Sequence, residues 1–306
     1  MGTGRIAVCG EALVDLVPQD ATTYTALPGG SPANTAVALA RLGVPVVFLA
    51  RLSRDSSGAL LRAHLEGSDV DLSHAVDALE PSSVALVELS PEGAATYRFL
   101  LEGTADWQWR DEELEVVPPE VHAVHAGSLA LARQPGGRVL ERFLARARSR
   151  ATVSIDPNLR PALLGDLDAV RTDVRRWLAV ADVFKASTED LQVLHPGEDP
   201  EDVARCWAAS GPALVVVTCA ADGAFAVHGD TLVRRPAVPV DVVDTVGAGD
   251  TFMAGLLEQL HRDGQLGGRL RELTPDLVAA ALERGLRAAA VTCGRAGADP
   301  PWATEL

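Results

Sequence analysis

The feature that most constrains this chain is an alternation of short apolar runs with longer amphipathic ones. IAVCG precedes a helical pattern over Ala33–Leu42, and VPVVFLA precedes one from about Ser57 to Glu66. After Gly103 the rhythm resumes with VHAVHAG, a helix through Leu140, TVSID, a helix through Trp177, DVFKAS, another helix, ALVVVT and two C-terminal helices. Apolar runs too uniform to have a wet face, each separated by a helix, predict an α/β fold: a mostly parallel sheet covered on both faces. Two stretches break the pattern. Residues 13–28 and 84–102 read as short strands joined by turns, with Ser90-Pro91-Glu92-Gly93 a hairpin signal. They predict a small separate β-sheet made from two insertions; edge strands of the main sheet are the alternative. The main domain then comprises 1–12, 29–83 and 103–306.

The formal charge of −15 argues against a nucleic-acid partner, which requires a basic footprint. The N-terminus, MGTGRIAVCGEALVDLV, has neither a signal-peptide pattern nor a membrane-length apolar run, so a cytoplasmic protein without membrane association is expected. Cys9, Cys206, Cys219 and Cys293 show no C-x-x-C spacing and are expected as buried, reduced thiols.

Two glycine-rich turns carry the chemistry. In DTVGAGDTFMAGLL, a helix with one apolar face opens at Gly247-Ala248-Gly249-Asp250. The first amides of a helix have no partner within it, and glycines let a ligand approach them, so these four residues form a candidate anion hole. An ionised Asp250 beside it could take the proton of a hydroxyl while the amides hold a phosphoryl group. Ordinary N-capping is the other reading of the turn. The dinucleotide pattern G-x-G-x-x-G fails because Phe252 stands at its third glycine, and no Lys follows as a Walker turn requires. The second turn, GGSPANTAVALARLG, has Ser31 as a helix cap, Pro32 in the first turn and Gly43 at the end. Capping leaves Gly29, Gly30 and Asn34 unexplained, and Asn34 is expected to face a ligand.

Together these turns, in this order, resemble the two signatures of the ribokinase-like, PfkB-type carbohydrate kinases. The resemblance covers nearly the whole chain. Its fructokinase branch is the nearest, through GEALVDLVP, HAGSLALA, DPNLRPALL and KASTEDL. The resemblance implies a three-layer α/β/α domain with a small β-sheet lid, Asp250 as catalytic base, and the amides from Gly247 to Asp250 as anion hole. It implies sugar contacts from Asp15, Gly29, Gly30 and Asn34, with Tyr97, Arg98 and Arg160 as further substrate-binding candidates. For ATP it implies Ser187, Thr218, Gly223 and Gly249, while Ala220 stands where the family usually has glycine. Asp190 is implied as a contact to Mg2+ through water, and Asp244 with the carbonyl of Val246 as a site for a monovalent cation such as K+. Asp241 is read as solvated or structural. The expected reaction is phosphorylation of a sugar by ATP, D-fructose to D-fructose 6-phosphate. Alternatives are 2-keto-3-deoxygluconate kinase, ribokinase or nucleoside kinase, and, in a different class, a non-catalytic sugar-binding regulator. Exposed strand edges on the lid suggest a homodimer.

Overall fold

The structure is a computed structural model; it describes residues 4–20, 22–89, 95–114 and 119–306, apart from the side chains of residues 89 and 95–97. Its strands are β1 Arg5–Cys9, β2 Leu13–Pro18, β3 Tyr24–Gly29, β4 Val46–Leu49, β5 Arg51–Ser53, β6 Val76–Ala78, β7 Val84–Leu89, β8 Ala95–Leu100, β9 Val121–Gly127, β10 Thr152–Asp156, β11 Val183–Ser187, β12 Leu214–Thr218, β13 Ala224–His228 and β14 Thr231–Arg235. The helices are α1 Ser31–Arg41, α2 Ser56–Glu66, α3 Ser128–Ala132, α4 Gly136–Ala147, α5 Leu167–Val180, α6 Thr188–Leu194, α7 Pro200–Ala209, α8 Ala248–Arg262 and α9 Pro275–Cys293.

Among the described residues the main sheet has the order β14-β13-β12-β11-β10-β9-β1-β4, parallel from β12 to β4. At the other edge β13 and β14 run antiparallel, because the short turns at Ala220–Asp222 and Gly229-Asp230 leave no chain for a crossover. Side chains alternate between two cores. Ile6 and Val8 of β1 and Leu214 and Val216 of β12 join the core under α1, α2, α8 and α9. Ala7, Cys9, Val215 and Val217 point the other way, toward α4, α5, α6 and α7. This two-sided burial is why the strands read as continuous apolar runs.

The second sheet, ordered β3-β2-β7-β8, is separate from the main one. Two hairpins build it, joined where β2 and β7 pair in parallel with Val14 opposite Val84. The hairpin signal at Ser90-Pro91-Glu92-Gly93 lies outside the described residues. Three features depart from expectation. The helix expected through Leu140 is two, α3 and α4, broken before Pro135, whose ring blocks continuation. A two-stranded parallel sheet of β5 and β6 was not anticipated. Of the cysteines only Cys9 is buried: Cys219 and Cys293 are partly exposed, and Cys206 is exposed on α7, since it falls on the outer side of an amphipathic helix that buries Val203 and Trp207. Among the described residues no helix is long and apolar enough to cross a membrane.

Candidate active site

The carboxyl ends of the parallel strands open onto a cleft of about 610 Å³. Glu11 lines it from beyond β1, Ser128 from beyond β9, and Asn158 and Arg160 from beyond β10. Asp15 and Phe99 come from the small sheet, Gly30, Ser31 and Asn34 from the start of α1, and Thr245–Gly247, Gly249 and Asp250 from the turn into α8. Ligands of open α/β sheets collect at this end because the helix N-termini converge there.

The α8 turn depends on Gly247, whose φ of 76° lies in the left-handed region and whose added Cβ would sit 2.7 Å from that of Ala298. The Ala248 N–H is spent on the Thr245 carbonyl at 3.2 Å. The amides of Gly247, Gly249 and Asp250 have no partner among the described residues, so the row of four donors expected from sequence is a set of three. Asp250, 6% exposed, sits beside them. Its Oδ1 accepts from Ser31 Oγ at 2.6 Å and its Oδ2 from Asn34 Nδ2 at 2.9 Å. Each oxygen retains a lone pair for a further donor. Ser31 is therefore not the helix cap the sequence suggested. Gly30, at φ 104°, holds the N-cap position without a side-chain cap bond, so the helix starts one residue earlier and the Ser31 hydroxyl is left to reach Asp250.

Three carboxylates face one guanidinium in the cleft. Burial pushes the Glu11 carboxyl up to about 7, against hydrogen bonds that include one from the Ala130 N–H at 3.0 Å. Burial raises Asp15 to about 6, opposed by the positive charge of Arg160. Gly29 makes room for Asp15, since a Cβ there would lie 2.5 Å from its carboxylate. Arg160 donates to Asn158 Oδ1 at 2.6 Å. Arg98 departs from expectation: strand alternation turns it outward, exposed, while its neighbour Phe99 lines the cleft. The side chain of Tyr97 lies outside the described residues.

Of the nucleotide-binding candidates, Gly249 lines the cleft. Ser187 and Thr218 pair in register at the carboxyl ends of β11 and β12. Gly223 closes the turn after β12, and Ala220 within it has φ 46°, a left-handed conformation that suits glycine better. Asp190 spends both oxygens inside the chain, Oδ1 on the Leu159 N–H at 2.9 Å and Oδ2 on the Ser187 N–H and hydroxyl at 2.8 and 2.7 Å. The capping box of α6 accounts for Oδ2, and Oδ1 ties the loop after β10 to the helix. Asp244 likewise accepts from the Val246 N–H at 3.0 Å and the Gly297 N–H at 2.8 Å, and Asp241 is exposed.

Sequence reasoning passed over Lys185, the only lysine among 27 basic side chains. Its strand parity turns it toward α8. There it pairs with the buried Asp156 at 2.6 Å, and its Nζ lies 3.1 Å from where a Gly249 Cβ would be. An ammonium group thus stands against the backbone of Gly249, whose amide is free. Its lone use in a chain that otherwise chooses arginine was the available signal. Ser31 and Glu11 gave none, because a serine before proline reads as a cap and a single Glu after a strand reads as surface.

Comparison with known proteins matches residues 4–305 to the model of the pfkB family carbohydrate kinases. A fructokinase from Rhizobium leguminosarum bv. trifolii is 38% identical over 265 residues, covering 85% of this chain and 81% of the relative. Among solved structures, a fructokinase with bound ATP from Xylella fastidiosa superposes with a TM-score of 0.89 at 27% identity, covering 97% of this chain and 94% of that one. A double mutant of the fructokinase from Vibrio cholerae O395, in its fructose-, ADP- and potassium-bound form, gives a TM-score of 0.84 at 29% identity, covering 97% and 94%.

Proposed function

Because the chain belongs to the pfkB family of carbohydrate kinases, we propose that it transfers the γ-phosphoryl group of ATP to the primary 6-hydroxyl of D-fructose. One observation carries this reading: the Asp250 carboxylate and three unpaired amides border the same cleft. With the hydroxyl between them, Asp250 takes its proton, the new O–P bond forms, the bond from phosphorus to the β-phosphate oxygen breaks, and ADP leaves. Ser31 and Asn34 hold the carboxylate in position. The amides and the Lys185 ammonium stabilise charge on the transferring group. Asp15, Asn34 and Arg160 orient the sugar, and the small sheet acts as a lid that excludes water.

The cleft chemistry favours a neutral sugar. Glu11, Asp15 and Asp250 offer acceptors to hydroxyls, whereas Arg160 is the one guanidinium lining the cleft among the described residues, a poor balance for the carboxylate of 2-keto-3-deoxygluconate. Phe99 supports a nucleoside as the second reading, since it offers one ring for stacking.

Magnesium would accompany ATP; with both Asp190 oxygens already engaged, its ligands would come from the nucleotide's phosphates and from water. Asp244 and the Val246 carbonyl are the candidates for a K+ site. Tyr24, Leu27 and Leu100 are exposed on the edge strands of the lid, which supports a homodimer through that sheet. The test is ADP release with fructose, 2-keto-3-deoxygluconate, ribose, tagatose and adenosine, each in sodium and in potassium, for wild type and Asp250→Asn. Fructose should lead, with kcat about 10²- to 10⁴-fold lower in the variant. Equal rates on all five acceptors, or an unaltered kcat in the variant, would refute the assignment.

A further inference from the structure

The strands of the small sheet leave and rejoin the main domain at four places: Ala12 before β2, Gly30 after β3, Ser83 before β7, and the stretch from Leu101 to Thr104 after β8. A single side chain sits where they meet. Asp106, 1% exposed, accepts from the Ala12 N–H at 3.0 Å through Oδ1 and from Ser83 Oγ at 2.5 Å through Oδ2. Ser83 Oγ lies 2.6 Å from Thr104 Oγ1, which donates to the Leu101 carbonyl at 3.0 Å. Gly30 packs against the same point: its φ is 104°, and a Cβ would lie 2.8 Å from the Glu11 carbonyl. The turn that carries Asp106 is fixed from the main-domain side. Arg51 of β5, itself buried, donates from Nε to the Ala105 carbonyl at 3.1 Å while its other nitrogens bond Glu80 and Glu113.

We propose that Asp106 is a positioning residue for phosphoryl transfer, the pivot that gathers the roots of the small sheet and sets the angle at which Asp15 and Phe99 stand over the sugar. This rests on the reading of that sheet as a lid over a sugar site. Groups next to a pivot keep their bonds when the sheet swings, whereas groups at its tip move most, and the Asp106 carboxylate bonds two of the roots, Ala12 and Ser83, directly. The knot also continues into the cleft, because the residue before Ala12 is the cleft-lining Glu11, whose carboxylate accepts from the Ala130 N–H next to Leu129 of the lining. No atom of Asp106 lines the cleft, so it acts through Asp15 and Phe99.

The experiment uses Asp106→Asn and Ser83→Ala in the full chain. Asn keeps the shape but replaces one acceptor with a donor, and Ser83→Ala deletes one root while leaving the carboxylate. Steady-state kinetics give KM for fructose, KM for ATP and kcat; tryptophan fluorescence, to which the buried Trp107 and Trp109 just after Asp106 contribute among five tryptophans, follows sugar binding. Both variants should raise KM for fructose about tenfold or more with KM for ATP within about twofold, as expected when a binding group is misplaced by a fraction of an ångström. The sugar-dependent fluorescence change should shrink in parallel. The double variant should resemble the worse single one, since both act on one network. Lower unfolding midpoints with unchanged KM for fructose in the variants would make Asp106 merely structural and overturn the proposal. Should Asp106→Asn not fold, Ser83→Ala carries the test alone. A wild type without sugar-dependent ADP release fails the kinase reading and takes the pivot with it; wild-type turnover with unaltered variants overturns the pivot only.

Discussion

Glu11→Gln should make this protein more stable, by an amount that depends on pH. Glu11 is 1% exposed, and burial moves its carboxyl from an ordinary 4.5 to about 7, with the nearby negative charge of Asp106 adding to the rise. The folded chain therefore holds this proton more tightly than the unfolded chain. Stability contributed by such a group is complete below the unfolded value, and it is lost as pH climbs from 4.5 through about 7. At about 1.4 kcal/mol per pH unit across that window, the ionised side chain costs the native state up to about 3 kcal/mol. Glutamine has the same shape and no charge. Its carbonyl can still accept from the Ala130 N–H, and its amide can donate to the Ser128 hydroxyl. Asp106, raised to about 6, is present in both proteins and its own loss largely cancels in the comparison.

Urea unfolding of both proteins at pH 5, 6, 7 and 8 measures the difference directly, provided the slope with denaturant is the same for the two. The variant's advantage should be small at pH 5 and approach about 3 kcal/mol at pH 8. A difference that stays flat across this range, or that favours the wild type increasingly as pH rises, would mean that Glu11 is solvated or compensated in a way the buried geometry does not allow.

Three further outcomes follow from the site. Lys185→Met strands the buried Asp156 without its counter-ion and should lower unfolding free energy by roughly 3–5 kcal/mol, whereas Lys185→Met with Asp156→Leu should recover most of it in the same urea titration. Ser31→Ala removes the 2.6 Å bond to Asp250 and should reduce kcat about tenfold, the rate equivalent of a lost hydrogen bond to a charged group, with sugar affinity by calorimetry little changed. Ala220→Gly relieves a left-handed alanine and should raise the unfolding midpoint slightly, by no more than about 1 kcal/mol of stability, while lowering KM for ATP; a lower midpoint would show that the turn is not strained.

The order of strands and helices was legible because hydrophobic burial writes itself locally: a strand covered on both faces is apolar at every position, and α8 shows its core stripe at Phe252, Met253, Leu256, Leu257 and Leu260. The glycine turns were legible because left-handed backbone has few alternatives to glycine. Side-chain partnerships across the fold were not. Nothing near Asp106 in the sequence announces Ala12 or Ser83, and nothing beside Lys185 announces Asp156, because hydrogen-bond partners 23 to 94 residues apart leave no periodic trace. Arg98 was misjudged by a single residue. In a strand one position is the difference between the cleft and solvent, and Phe99 took the inward place.

The two glycine motifs are best understood as one structure rather than two. Helix α1 begins at Ser31 and α8 at Ala248, and the two pack against each other so that their first turns lie side by side. Ser31 and Asn34, one turn apart on α1, then reach both oxygens of Asp250 on α8 across 219 and 216 residues of chain. Two helix N-termini brought together concentrate unpaired amides and positive dipole ends, an arrangement that favours an anion. A carboxylate placed between them serves that electrostatic need, and the three remaining amides leave room for a second, transient negative group. The paired motifs therefore follow from the chemistry. On the proposed kinase reading, the α8 turn holds the phosphoryl group while Ser31 and Asn34 of α1 hold the base, so neither glycine turn performs the task without the other.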